Sequence, residues 1–332
     1  MKRENNIISL VADPDNLRLA FGKARKAKEG KIEVAEFRKS LDENLITIRN
    51  ELLSGNVQVG NYHYFTIFDP KERLICAAKF RERVIHHALM NICHTNFEKY
   101  QIFDSYASRI GKGTYVALDR ATIFQKKYKW FLKLDVRKYF DSIDHNILKR
   151  MLAKRFKGKT LIRVFYQIID SYKTKLEKGL PIGNLTCQYF ANHYLGFADH
   201  YIKENLHALA YVRYMDDMVI WSDNKNSLIE IGKKFETFIE SELSLILKPF
   251  CLNTTDKGLP FLGYVLFSNT ILLNNKSKKR YKSKLKQYTY KLLSSDWNQI
   301  EYQAHVMPLI AFVKYANTFN LRTKYNEILK IG

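Results

Sequence analysis

The 332-residue chain is long enough for a full hydrophobic core and more than one subdomain, and 46% hydrophobic residues with only 14 Gly and 6 Pro mark it as globular. Against 33 Asp and Glu stand 55 Lys and Arg, a formal charge of +22 that calls for a polyanionic partner, either nucleic acid or an anionic membrane. No apolar run nears the roughly 18 residues of a membrane span and no signal-peptide pattern follows Met1, so nucleic acid is the expected partner and a membrane is not. Cys76, Cys93, Cys187 and Cys251 form no Cys-x-x-Cys pair, which argues against a disulfide framework or zinc site and for a cytosolic chain.

Residues 1–60 are expected to be mainly helical, with Ala20, Ala24, Ala27, Val34, Phe37, Leu41 and Leu45 recurring at helical spacing. The basic run 23–28 within them reads equally as a solvated helix face or an RNA contact. Residues 61–80 read as strands broken by a turn signal at Asp69-Pro70. Helical pattern returns over 81–128, interrupted by the Gly111-Lys-Gly113 loop. His86-His87, with Cys93 and His94 beyond, lacks zinc-ligand spacing, because adjacent helical residues diverge. Residues 130–136 form a short core strand, followed by helices through 170 and a loop around Pro181 and Gly183. A long helix covers roughly 187–205, with Phe190, Tyr194 and Ala198 on one side. The apolar run 211–221 is a strand hairpin, and 226–245 an amphipathic helix carrying Leu228, Phe235, Ile239 and Leu243. This alternation gives an α+β class, an antiparallel sheet with helices packed on one face. The stretch 276–290 is basic, Tyr-bearing and free of acids. It suits backbone and stacking contacts with a nucleic-acid duplex through Lys278, Lys279, Arg280 and Lys282, with a solvated helix as the alternative.

Two of these elements carry chemistry. Tyr-Val-Arg-Tyr-Met-Asp-Asp-Met-Val-Ile-Trp at 211–221 sets two acids at the tip of a β-branched and aromatic hairpin. An isolated Asp-Asp is usually an ordinary turn. A third carboxylate, Asp135, near the end of the 130–136 strand changes that reading. Acidic strands meeting edge to edge can hold two divalent cations roughly 3.5–4 Å apart, which clamp the attacking and leaving oxygens of a phosphoryl displacement. Asp135 and Asp216 are the expected bridging ligands, with Asp217 beside them and the Val136 carbonyl as an extra oxygen. Hard oxygen donors of this kind suit Mg²⁺.

The Tyr-Met-Asp-Asp box at 214–217, taken with the Asp135 segment, resembles reverse transcriptases, and other blocks follow in the family's order from about Tyr64 to Tyr264. Arg73-Leu-Ile and Phe80-Arg-Glu-Arg-Val-Ile-His-His-Ala-Leu89 look like the fingers. Ser105-Tyr-Ala-Ser-Arg-Ile-Gly-Lys-Gly-Thr114 is similar to the next block, Leu180-Pro-Ile-Gly-Asn-Leu-Thr-Cys-Gln188 to the template-facing loop, and Leu259-Pro-Phe-Leu-Gly-Tyr264 to the primer grip. Group II intron, retron and most other bacterial members carry Gln-Gly and Ser-Pro at the two ends of the 180–188 block. Here Ile182-Gly183 and Cys187-Gln188 stand there, a form that resembles the reverse transcriptases of diversity-generating retroelements, with Cys187 in place of their usual Ser.

The resemblance implies a right-hand polymerase fold divided into an N-terminal helical extension (1–60), fingers with part of the palm (61–128), a palm with the catalytic centre (129–267) and a basic helical thumb (268–332). It implies Asp135, Asp216 and Asp217 as the catalytic carboxylates, two Mg²⁺ per site with Mn²⁺ able to substitute, and Phe140 as the aromatic gate against a 2′-hydroxyl. Tyr139 is the alternative gate. Lys71 and Arg73 are expected at the triphosphate, Ile182 and Gly183 at the nascent pair, and Lys248 near the leaving pyrophosphate. Arg81, Arg83, Tyr214, Met215, Leu262 and Gly263 are expected along template and primer. Asp141 and Asp144 read as helix-start or salt-bridge residues rather than metal ligands. Implied partners are template RNA, the RNA/DNA hybrid, deoxynucleoside triphosphates and a small basic accessory protein, in the cytoplasm of a prokaryote or encoded by a phage. No RNase H, endonuclease or maturase segment is expected after the thumb. The function that follows is error-prone copying of a template-repeat RNA into cDNA. The alternatives are a retron-like or intron-derived enzyme, and an inactive polymerase relic that only binds RNA.

Overall fold

The computed structural model describes residues 7–68 and 72–330, with side chains through Tyr325. Four helices open the chain: α1 (Ile7–Val11), α2 (Pro14–Arg25), α3 (Ile32–Lys39) and α4 (Leu41–Ser54). Asp13 starts α2 by accepting from the amides of Asp15 and Asn16, ahead of Pro14 in the first turn. Next come an antiparallel hairpin, β1 (Tyr62–Ile67) with β2 (Arg73–Ala78), and helices α5 (Phe80–Glu98) and α6 (Thr114–Lys127). Strand β3 (Trp130–Asp135) leads to α7 (Tyr139–Ser142), α8 (His145–Arg155), α9 (Lys159–Asp170) and α10 (Leu185–His200). The pattern expected to run as one helix to 205 is α-helical to His200 and continues as a wider π-turn over Tyr201–Asn205.

The hairpin of β4 (Ala210–Tyr214) and β5 (Asp217–Ser222), helix α11 (Lys225–Leu243) and strand β6 (Cys251–Thr254) complete a four-stranded antiparallel sheet in the order β4-β5-β3-β6. A second, three-stranded sheet follows from β7 (Leu259–Phe261), β8 (Tyr264–Leu266) and β9 (Ile271–Leu273). Helices α12 (Asn275–Leu293), α13 (Gln299–Lys314) and α14 (Phe319–Lys330) end the described chain.

The sheet is covered on both faces, not on one as its alternation suggested. Leu132, Leu134, Tyr211, Met218 and Ile220 face the core built by α5, α8, α10, α11 and the N-terminal helices. On the opposite face Phe131, Val212, Val219 and Trp221 pack with Ala117, Leu118, Ala121 and Phe124 of α6 and with the second sheet and C-terminal helices. The run Met218-Val-Ile-Trp221 is apolar on both of its faces, so both need cover. Buried Gln125 ties these layers together, donating to the Thr255 and Leu266 carbonyls and accepting from the Trp221 indole. Residues 7–54 share the first core, with the Phe21, Phe37 and Phe80 rings in mutual contact and Asn16 bonded to the Ala88 carbonyl.

Candidate active site

Antiparallel pairing sets Asp135, the last residue of β3, opposite Asp217, the first of β5. Tyr214 and Asp217 close the β4–β5 hairpin, so Met215 and Asp216 alone form the turn. Met215 takes φ of 53°, the left-handed first position of a tight hairpin turn, a conformation costly for a side chain of that size. Arg213 holds it there. Its guanidinium donates to the Met215 carbonyl at 3.2 Å, to Asn192 at 3.0 Å and to Gln101 at 3.2 Å. It also grips both oxygens of Asp199 at 2.7–2.9 Å. Both side chains of this pair are 0% exposed. The Tyr211 hydroxyl donates to the same carboxylate at 2.7 Å.

The carboxylates lie among two lysines. Lys248 Nζ sits 2.7 Å from both Asp135 oxygens, and its backbone amide bonds the Asp135 carbonyl. Lys133 Nζ approaches Asp217 Oδ1 at 2.9 Å and donates to the Pro260 carbonyl. The approach to Oδ1 is an ion contact without hydrogen-bond alignment, which leaves that buried oxygen with no hydrogen-bond partner. The Asp216 carboxyl is pushed above its ordinary range, first by burial and then by the charges of Asp135 and Asp217, while Lys248 pulls the other way.

Among the described residues no three His, Cys, Asp or Glu side chains converge closely enough to hold a metal ion as they stand. The donor set nevertheless fits hard divalent cations: three carboxylates, an unsatisfied buried oxygen on Asp217, and repulsion at Asp216 that a cation relieves. Lys248 and Lys133 supply that neutralisation in this structure. Pairing of Val136 with Leu247 uses the Asp135 carbonyl and the Arg137 amide, so the Val136 carbonyl faces the opposite edge, where β5 begins.

Of the other expected residues, Phe140 is half-buried at the start of α7, and its carbonyl accepts from Leu180. Tyr139 is buried with its hydroxyl bonded to the Ala191 carbonyl, so of the two aromatics Phe140 is the one with an open side. The Ile182 carbonyl accepts from the Cys76 amide, joining the 180–184 loop to β2. Gly183 takes φ of +124°, and a Cβ there would meet Ile75 and the Cys76 carbonyl at 3.1–3.2 Å. Arg73 is exposed at the start of β2, while Lys71 lies outside the described residues. Arg81 is tied to Glu51 and the Gln58 carbonyl, and Arg83 to the Ala78 carbonyl and Glu33, so both brace the hairpin against the N-terminal helices.

Tyr214 accepts from Thr114 at 3.1 Å. Leu262 and Gly263 form the β7–β8 turn with φ of 48° and 94°, against Ser277 and Phe312 of the C-terminal helices. On α12, Tyr281 and Leu285 face inward while Lys279, Arg280 and Lys282 are exposed and Lys278 half-buried. Asp144 caps α8 by accepting from the Ile147 amide.

Sequence reasoning passed over Arg213, Asp199 and Lys133. Two signals were present: a charged residue inside an apolar strand, and a lysine two positions before Asp135, hence on the same strand face.

A family model described as reverse transcriptase (RNA-dependent DNA polymerase) matches residues 69–266. The putative COX1/OXI3 intron 1 protein of Saccharomyces cerevisiae is 24% identical over 213 residues, covering 60% of this chain and 25% of its own length. The chain therefore spans about a quarter of that relative. Protein YkfC of Escherichia coli is 21% identical over 266 residues, 66% of this chain and 70% of its own. Among solved structures, Candida tropicalis telomerase in complex with a fragment of telomeric RNA matches with a TM-score of 0.50 and 14% identity, over 90% of this chain and 59% of that one. That likeness concerns fold, and identifies the mixed helical and antiparallel architecture as a right-hand polymerase fold.

The crowding of the carboxylates has a consequence for stability. The folded chain holds the Asp216 proton more tightly than the unfolded chain, so the associated stability is present in acid and lost as pH rises through the folded pKa. In metal-free buffer, Asp216→Asn is expected to raise the thermal midpoint at neutral pH, with the gain shrinking as pH falls toward the unfolded carboxylate value of about 4. A gain independent of pH, or a loss at neutral pH, would show that burial and the neighbouring carboxylates do not hold Asp216 above its ordinary range in the folded protein.

Proposed function

This chain belongs to the reverse transcriptase family, and we propose that it is an RNA-directed DNA polymerase whose catalytic carboxylates are Asp135, Asp216 and Asp217. The observation that carries the reading is the pairing of Asp135 with Asp217 beside the Asp216 turn, three hard-oxygen donors on adjacent strands. Two Mg²⁺, or Mn²⁺ in their place, would supply activation of the primer hydroxyl and neutralisation of the leaving pyrophosphate. Asp135, Asp216, Asp217 and the Val136 carbonyl would hold them. Lys248, freed from Asp135, is then a cation beside the departing phosphates, and Arg73 and Lys71 are the cations expected on the triphosphate. Phe140 offers the volume that excludes a 2′-hydroxyl. The loop at Ile182-Gly183 lies against the new pair, and α12 presents Lys279, Arg280 and Lys282 to the RNA/DNA hybrid. In this reading residues 61–128 are fingers with part of the palm, 129–267 palm, 268–332 thumb, and 1–60 a helical extension.

The finer reading is a diversity-generating retroelement enzyme that makes error-bearing cDNA with a small basic accessory protein. Ile182 supports it. The backbone of the loop is fixed by the Cys76 amide, and the side chain offers shape without a hydrogen bond. A site that checks geometry with fewer polar contacts discriminates less between correct and incorrect pairs. The similarity to a yeast intron protein favours a second reading, an intron-derived enzyme. An inactive RNA-binding relic has no use for a buried Asp216 held beside Asp135 and Asp217, whose charges add to the cost of ionising it.

Extension of a DNA primer on an RNA template tests the activity. Wild type is expected to add deoxynucleotides, and Asp216→Asn to lose addition by at least about a thousandfold, in line with losing a transition-state charge clamp. Undiminished addition by the variant would overturn the carboxylate assignment. Sequenced cDNA tests the subtype. Ile182→Gln is expected to lower misincorporation by about tenfold or more, the discrimination that one polar contact supplies. Equal error spectra would reduce Ile182 to packing and favour the intron-derived reading.

A further inference from the structure

Helix α8 presents Ile147, Arg150, Met151 and Lys154, spaced i, i+3, i+4 and i+7 on one face, to a cavity of 340 Å³ that α10, the end of α11 and Tyr100 close. This volume is at the small end of ligand sites. None of the three catalytic carboxylates lines it, nor any residue expected along template and primer. The lining is graded by exposure. His193 of α10 is buried, Met151 and Tyr100 are half-buried, the Phe197 ring is partly open, and Arg150 and Lys154 are exposed. Arg155 joins these two cations, with Glu242 as the acid among the lining residues.

Two of these side chains lack what their burial calls for. His193 is 3% exposed, and its Nδ1 has no hydrogen-bond partner. Its ring is packed between Phe97 and Tyr100, with centroids 5.6 and 4.7 Å away. Burial pushes the His193 pKa down to about 4, so at neutral pH the ring is uncharged. Buried polar groups are normally satisfied, and an orphan beside a cavity marks a place where a ligand completes the hydrogen bonding. Arg155 is anchored by Nε and Nη2, which donate to the Asn96 carbonyl at 2.9 and 2.6 Å, and its guanidinium lies 5.4 Å from the centre of the Tyr100 ring. Burial disfavours its charge, a cost that an anion in the cavity offsets.

We propose that this cavity binds a nucleoside monophosphate, its base against Met151 and Phe197 with a polar edge on His193 Nδ1, its phosphate among Arg150, Lys154 and Arg155. The order of the lining matches the order of the ligand. A neutral hydrogen-bonding group at depth meets the edge of a base, a thioether and an aromatic ring meet its faces, and a cationic mouth meets the phosphate. Guanidinium forks suit phosphate oxygens in particular. Inorganic phosphate would leave His193 and the apolar wall unmatched, and a neutral apolar molecule would leave the cations so. The site sits in the helical cover of the sheet and stands apart from the polymerase reading. The ligand has two sources, a free nucleotide or the 5′-phosphorylated end of a nucleic-acid strand.

Equilibrium binding in metal-free buffer tests the site without nucleotide addition. The probes are AMP, inorganic phosphate, and one RNA oligonucleotide ending in either a 5′-phosphate or a 5′-hydroxyl. For a free-nucleotide source, AMP is expected to bind wild type about tenfold or more tighter than inorganic phosphate, while the 5′-phosphate adds nothing to RNA binding. For a strand-end source, the 5′-phosphate is expected to tighten RNA binding about tenfold, the effect of a hydrogen bond to a charged group. Either gain is lost in the Arg150→Ala, Lys154→Ala double variant, and in His193→Phe, which keeps a ring and removes Nδ1. The double variant changes exposed residues only, so it carries the test if His193→Phe does not fold. The proposal is overturned if AMP binds no better than inorganic phosphate and the 5′ end makes no difference, or if a gain survives in a variant that folds.

Discussion

Everything at the candidate site hangs from the buried pair of Arg213 and Asp199. A guanidinium and a carboxylate with no solvent exposure carry a large desolvation cost, offset only when geometry is good and each remaining donor has a partner. Here the fork of Arg213 is distributed over Asp199, Asn192, Gln101 and the Met215 carbonyl, and Tyr211 completes the Asp199 shell. One end of this network is helix α10 and the other is the turn that carries Asp216. The left-handed backbone that the tight turn requires is disfavoured for a residue with the side chain of Met215, so something rigid must over-determine it. The ion pair does so from beneath, on the side away from solvent, and leaves the carboxylate tip unencumbered.

Above the turn the electrostatics run in the opposite direction. Asp135, Asp216 and Asp217 are held closer than three like charges prefer, and Lys248 and Lys133 lie among them as counter-charges. Lys133 reaches Asp217 from the same strand face as Asp135, the diagonal neighbour relation of an antiparallel pair. Lys248 arrives on a chain segment that pairs with the end of β3. The site is thus balanced by movable ammonium groups, and not by fixed arginines, which leaves the carboxylates able to exchange partners. The rigid pair below and the exchangeable pairs above divide the labour: one sets position, the others set charge.

The sheet and its carboxylates were legible because their signals are local. β-branched and aromatic residues around Met215-Asp216-Asp217 announce a hairpin, and 130–136 announces a strand whose last acid meets it. What escaped notice depends on chain segments far apart. Lys248 lies 113 residues from Asp135, and Gln101 lies 112 from Arg213, so no spacing rule joins them. The cover on the second sheet face was missed for a different reason. Phe131, Val212, Val219 and Trp221 satisfy the strand pattern whichever face they take, and only the apolar character of both faces signals that the sheet needs two partners. The bracing roles of Arg81 and Arg83 were hidden likewise, since Glu51 and Glu33 belong to helices that read as a separate extension.

The central claim is that the Arg213 fork sets the position of the Asp216 turn. Arg213→Lys isolates it, because lysine keeps the charge that Asp199 requires but lacks the planar fork that also reaches the Met215 carbonyl. The measurement is the single-turnover rate of deoxynucleotide addition, read beside the thermal unfolding midpoint and the KM for nucleotide. The expected result is a folded protein with KM little changed and a rate lower by about a hundredfold, the cost of misplacing a reacting group by roughly 1 Å. A folded variant that adds nucleotides at the wild-type rate would contradict it.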